Sequence, residues 1–195
     1  MANTSAPFGF AQYQGTGSTP SYEQVAKLIA STNSTPIYFG DPVSPLSTGY
    51  IAQATAGTTQ ILGIFVGCQY LSVSQKRTVW SNYWPGSDAN GDVTAYVVTD
   101  PNAKFKVQAG GSTTPIGAAD IGSNINFGLG TGNSASGISG AYADQTTLNT
   151  TNTLPFRVEA LITSPPGANG TDITTGYNYV VVSFVNVSAK QLTGV

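Results

Sequence analysis

An all-β protein, an antiparallel β-sandwich or barrel-like domain with an extended N-terminal arm, is the fold that three features of this sequence predict. From Pro36 onward, short apolar or alternating runs are broken by Gly, Pro, Asn and Asp about every ten residues, which is the punctuation of strands rather than helices. Eight such runs can be marked, enough to close a sandwich or barrel. A chain of 195 residues with 23 Gly and 11 Pro is long enough for one substantial core. The organisation expected is therefore an arm and connecting segment over 1–35, and a β domain over 36–195 with a long Gly/Ser/Thr-rich loop region at about 110–153.

In chain order, residues 1–20 are Gly, Pro, Ser, Thr and Gln with Phe8, Phe10 and Tyr13 interspersed and no helical period; they read as an arm with aromatic anchors. "SYEQVAKLIAS" at 21–31 fits two templates. Val25, Leu28 and Ile29 sit at helical spacing, whereas Val25, Lys27 and Ile29 alternate as in a strand. Strands are then read at "PIYFG", "YIAQA", "QILGIFVGCQYL", "TVWSNYW", "VTAYVV", "KFKVQA", "RVEALIT" and "YNYVVVSFVNVS". In "KFKVQA" the apolar Phe105, Val107 and Ala109 alternate with Lys104, Lys106 and Gln108, so one face is expected to be wet. "YNYVVVSFVNV" is apolar on both faces in its middle, the mark of a central strand or one covered by a partner. The 110–153 region has few large apolar residues, with "GISGAYAD" a candidate strand inside it. A loop of that length is functional, disordered, or ordered by contact with another chain.

Charge narrows the function. Only 8% of residues are ionic, the net charge is −2, and Lys plus Arg number seven, so no basic stripe exists to neutralise a row of phosphates, and direct nucleic-acid binding is not expected. The apolar runs are far shorter than the roughly 20 residues that cross a bilayer as a helix, and "MANTSAPFGFAQYQGTG" has neither the charged nor the apolar region of a secretory signal. A soluble protein made in a cytoplasm, without a membrane partner, is the expectation. There is no histidine, which removes Ser-His-Asp and Cys-His arrangements and the commonest general base. The single cysteine, Cys68, lies in "IFVGCQYL" and reads as a buried apolar side chain. No cofactor and no catalytic residue are assigned.

The stretch "TVWSNYWPGSDANGDVTAYVVTDP" collects both tryptophans and the carboxylates of Asp88, Asp92 and Asp100. Asp88, Asn90 and Asp92 imitate the start of a calcium loop, but no glycine follows Asp92 and no glutamate closes the twelfth position. Asn90-Gly91 predicts instead a tight hairpin turn between "TVWSNYW" and "VTAYVV", and Asp100 before Pro101 a turn; no metal site is assigned. Trp80, Tyr83 and Trp84 could stack on a sugar, but aromatics at strand ends more often serve core or interface. The glycine spacing in "GLGTGNSASG" lacks the preceding strand and lysine of a nucleotide loop. Five N-x-S/T triplets, at Asn3, Asn33, Asn149, Asn169 and Asn186, are what chance gives in a chain this rich in Asn, Ser and Thr.

"SAPFGF", "YFGDPV", "TGYIAQATAG", "ILGIFVGCQYL", "SNYWP", "AYVVTDPNAKFKVQA" and "FRVEALI", in this order over about residues 5–165, resemble the capsid cement proteins of tailed bacteriophages, also called decoration or head-stabilising proteins. The resemblance implies a virion protein, made in the host cytoplasm, that binds the outer surface of the major capsid protein shell, commonly as a homotrimer at three-fold and quasi-three-fold positions. It brings no catalytic residues. Pro7, Phe8, Phe10 and Tyr13 are the expected contacts to the capsid or a neighbouring copy, since a Gly-rich arm cannot bury its own rings. Another β-rich virion or adhesive module, such as a tail or fibre component or a carbohydrate-binding domain, is the alternative, and a carboxylate-dependent glycan hydrolase a more distant one.

Overall fold

The computed structural model describes residues 2–15, 17, 19, 23–57 and 60–190, and it is all-β with two sheets. The strands are β1 (Ala11–Gln14), β2 (Val25–Ile29), β3 (Pro42–Pro45), β4 (Ile51–Gln53), β5 (Gly63–Ser72), β6 (Arg77–Ser81), β7 (Val93–Val98), β8 (Lys104–Gly110), β9 (Asn124–Gly128), β10 (Tyr142–Asn149), β11 (Phe156–Leu161) and β12 (Tyr179–Phe184). Among the described residues the helical elements are two single-turn 3-10 segments, Ala118–Asp120 between β8 and β9 and Ser188–Lys190 after β12.

The first sheet runs β1-β8-β10-β9-β11-β12, and β12 pairs back onto β8. Five strands thus close into a barrel-like ring, which leaves no free edge within it. One pairing, β8 with β10, is parallel and the others around the ring are antiparallel. Inside, alternate side chains meet: Phe105 and Val107 from β8, Ile125 and Phe127 from β9, Phe156 and Val158 from β11, Val180, Val182 and Phe184 from β12. The interior is aromatic, with Phe156 and Phe184 stacked at 5.7 Å and Phe105 meeting Phe184 edge-on at 4.9 Å. Since β12 is hydrogen-bonded on both sides, its apolar run belongs to a central strand, as its composition predicts.

The second sheet runs β2-β7-β5-β3-β4, with β6 added to the far half of β5. Its inner face carries Ile29, Val43, Ile51, Cys68, Tyr70, Val93, Ala95 and Val97, packed with the wholly buried Trp84 and Phe65. Ile61, Ile64 and Val98 turn the other way and join the barrel core. The two layers are thereby packed through apolar contact.

Several expectations change. "VAKLI" is strand β2, paired residue for residue with β7, so the helical reading falls: the open edge of β7 offers a backbone ladder, and Ile29 alone is drawn fully inward. The first 35 residues give one strand to each sheet, and so are built into both layers. "PIYFG" contributes only isolated bridges at Ile37 and Phe39, and the strand follows it as β3. The 110–153 region is not a long loop. It holds β9 and β10, the latter beginning within "GISGAYAD", and their Ile125, Phe127 and Ala143 are buried, as is Ala141 just before β10; small inward residues beside Asn and Thr concealed most of the pattern. The Asn90-Gly91 hairpin is also absent: β6 and β7 lie on opposite edges of β5, sharing Gln69 as the residue between Trp80 and Thr94. The segment between them passes from one edge of β5 to the other, with Ala89 bridged to Ser72.

At the junction of the layers the chain crosses itself on glycine. Gly9 and Gly40, at φ of +76° and +90°, stand so close that a Cβ on Gly40 would lie 3.1 Å from Gly9 Cα; the contact admits only backbone. Next to it Asp41, 2% exposed, accepts hydrogen bonds from Tyr38 N (2.8 Å), Gln53 Nε2 (2.7 Å) and Ser139 Oγ. Ser139 Oγ in turn accepts from Ala141 N at 2.8 Å. Burial raises the Asp41 pKa above the ordinary carboxylate value, against the three hydrogen bonds that lower it. Between the ordinary value and the raised one the native chain therefore keeps a proton that the unfolded chain has lost, and Asp41's contribution to stability falls as pH rises through that interval. Urea unfolding at a series of pH values is expected to show this decline in the wild type relative to Asp41→Asn, because the amide cannot ionise. Asp41→Ala, which strands buried donors at roughly 1–3 kcal/mol each, is expected to lower stability at every pH.

Candidate binding surface

The four arm residues expected to meet a partner are separated by the structure. Phe10 is 1% exposed and stacks on Phe156 at 4.5 Å, inside the barrel core. It cannot reach a capsid or a second copy, and its assignment as a partner contact is corrected: the barrel offers it an apolar seat that the local sequence does not reveal. Phe8 is half-buried, edge-on to Tyr179 at 5.3 Å, and Lys106 Nζ stands 4.5 Å from the Tyr179 ring centre. Pro7 is half-buried. Tyr13 alone keeps an open ring, 43% exposed on β1.

Backbone pairing and polar clamps hold the arm to its own domain. The strand β1 pairs with β8. Gln108 is 1% exposed; it takes the Ala6 N–H on its Oε1 and donates its amide to the Thr4 and Tyr177 carbonyls. The wet face expected of "KFKVQA" is therefore roofed at this position. Asn3 donates to the Asp172 and Gly176 carbonyls at 2.7 and 3.1 Å and accepts from Gly170 N at 2.8 Å, while Asn169 Oδ1 receives Thr4 N.

The carboxylates of the aromatic stretch serve separate corners. Asp88 accepts from Ser72 Oγ (2.7 Å) and Ser74 N (2.9 Å), which hold its pKa below the ordinary range. Asp92 ties Ser31 N to the Tyr50 hydroxyl, and Asp100 caps Asn102 N. Among the described residues no three His, Cys, Asp or Glu side chains converge on a metal position. Cys68 is buried and its thiol is pushed up to about 12 by desolvation. A thiol that remains protonated at neutral pH is a poor nucleophile.

The aromatic trio also divides. Trp84 fills the core and donates Nε1 to Asn33 O at 3.2 Å. Tyr83 stacks on Tyr38 at 5.5 Å. Trp80 points outward, 64% exposed, over Gly67, where a Cβ would stand 3.1 Å from its Cζ2. The strand register sets Leu28, Thr94, Tyr96, Gln69 and Leu71 on the same outer face, with the Tyr96 hydroxyl donating to Gln69 Oε1 at 3.4 Å. Leu28 and Leu71 are 45% and 43% exposed, and Val73 just beyond β5 is 56% exposed. This outer face is aromatic and aliphatic, rimmed by amides and hydroxyls, with no ionic side chain among those named. Sequence reasoning found Trp80 but not its setting, because the hairpin reading placed Trp80 and Tyr96 on paired strands rather than on either side of β5. No helix among the described residues is long and apolar enough to cross a membrane.

Compared with family models, curated proteins and solved structures, the chain matches none.

Phe10→Ala is expected to cost about 3–5 kcal/mol and to lower the melting temperature by on the order of 10 °C, whereas Phe8→Ala costs much less. Scanning calorimetry of the two variants checks this; equal and small losses would mean that the arm is not part of the core.

Proposed function

We propose that the protein is a capsid cement protein, which binds the outer surface of a tailed-phage shell and stabilises contacts between major capsid subunits without catalysing a reaction. The resemblance described above supports this reading. The observation that carries it is the outer face of the second sheet: Trp80, Leu71 and Leu28 stand exposed on paired strands beside the half-buried Tyr96, in a chain with few ionic residues. Trp and Tyr are the side chains that most often anchor protein interfaces. With no ionic side chain in its centre, such a contact depends little on salt screening.

In this proposal the arm no longer reaches across to the capsid. Its role is to brace the barrel, and the contact surface is preformed, which lowers the entropy lost on binding. Assembly as a homotrimer on the shell belongs to the same proposal, supported by the small net charge, which gives copies little reason to repel.

Recombinant protein added to empty heads that lack it is expected to co-sediment with them in defined stoichiometry and to stay bound at raised ionic strength. Trp80→Ala is expected to lose about 2 kcal/mol or more of binding, roughly thirtyfold in affinity, with unchanged melting. Wild-type protein that fails to bind heads would sink the reading, and full occupancy by Trp80→Ala would move the contact elsewhere.

A further inference from the structure

The outer wall of the barrel holds a cleft of about 690 Å³ between β8, β10 and the N-terminal segment. Two tyrosines line it, Tyr142 and Tyr177, with Ser112, Thr113 and Pro7. Tyr142 sits between the buried Ala141 and Ala143, so its ring points out of the barrel. It lies across the backbone of two neighbouring strands: a Cβ on Gly110 would stand 2.5 Å from its Cδ2, and one on Gly128 would overlap the other end of the ring. Glycine at both places gives the ring a flat floor and leaves its opposite side to the cleft.

Tyr177 is unusual in its backbone. Its φ is +60°, the left-handed region that bulky residues avoid, at a cost of order 1–3 kcal/mol. Gln108 Nε2 holds it there through the Tyr177 carbonyl, at 2.9 Å. No hydrogen bond engages either tyrosine hydroxyl among the described residues. The lining contains no Lys, Arg, Asp or Glu, and the carboxylate at its rim, Asp144, accepts Thr146 N and Oγ1 at 3.1 and 2.6 Å on its Oδ1.

We infer that this cleft binds a neutral saccharide. A sugar ring presents an apolar face of C–H groups and an equatorial belt of hydroxyls, and the cleft offers a fixed aromatic plane with phenol, serine and threonine hydroxyls beside it. An anionic ligand would find no cation. An apolar ligand would leave the hydroxyls without partners, which costs more than it gains. The strain at Tyr177 places a ring at the cleft where glycine would be the relaxed choice. This inference stands apart from the capsid reading.

The test is titration calorimetry and saturation-transfer NMR of the full chain with lactose, maltotriose and chitotriose, and with sialyllactose as an acidic comparison. At least one neutral sugar is expected to bind. Tyr142→Ala is expected to weaken it at least about tenfold, or 1.4 kcal/mol. Tyr177→Gly is expected to weaken it likewise while melting no lower than the wild type, because the strain is released. Trp80→Ala, which tests capsid binding, is expected to leave sugar binding unchanged. Absence of binding by every neutral sugar, binding of sialyllactose alone, or loss of binding in Trp80→Ala with retention in Tyr142→Ala would overturn the assignment.

Discussion

A buried carboxylate without a cation organises this molecule. Asp41 sits where three parts of the chain meet: the turn from Tyr38, the strand β4 through Gln53, and the segment before β10 through Ser139. Its main chain continues the junction, since Asp41 O accepts Phe65 N, Gly40 N donates to Phe65 O, and Phe10 N donates to Gly40 O. A buried carboxyl group is costly to hold away from water unless it is hydrogen-bonded, so its partners must come together. Either the N-terminal segment, the β3 turn and the segment before β10 are all in place, or the carboxyl must be rehydrated. The Gly9–Gly40 crossing permits that closeness, and Phe10, one residue later, enters the barrel core as a consequence.

Elsewhere the chain replaces charge with amides, hydroxyls and glycine. Lys104 and Glu159 form an ion pair at 3.6 Å, partly exposed, a contact worth little by itself. Asparagines do the fastening. Asn3, Asn33, Asn149, Asn169 and Asn186, which as sequence are merely five N-x-S/T triplets, each bond to main-chain groups at a turn or clamp. Buried Asn178 does the same for Ile116, in both directions. A surface built this way keeps its loops ordered with few charged side chains.

Glycine has a second use, as a seat for aromatic rings. Trp80 lies over Gly67, Tyr142 over Gly110 and Gly128, Tyr38 over Gly132 and Tyr179 over Gly170. In each case the missing Cβ lets a ring settle against a neighbouring backbone, which covers the glycine and fixes the ring. A ring held in this way loses little further entropy when a ligand or partner covers it. That property links the packing of the fold to the two surfaces assigned here, the Trp80 face and the Tyr142 cleft.

The sequence by itself determined the class of fold and the character of the surface. Alternation in "KFKVQA" and "VTAYVV", the unbroken apolar middle of "YVVVSF", and the shortage of ionic residues are local properties, and strands β4 to β8, β11 and β12 follow from them. The absence of histidine and the apolar setting of Cys68 were legible for the same reason. Pairing was not. Asn90-Gly91 suits a hairpin, yet β6 and β7 each pair with β5, because β5 is long enough to offer both edges and the ladder gained there outweighs a local turn preference. Strand β9 was hidden and β10 only glimpsed in "GISGAYAD", because their inward residues, Ile125, Phe127 and Ala143, are few and alternate with Asn, Asp and Gly. The arm was read as reaching for another chain because nothing within residues 1–20 could bury Phe10; only the closed barrel, made from residues more than ninety positions later, supplied the place.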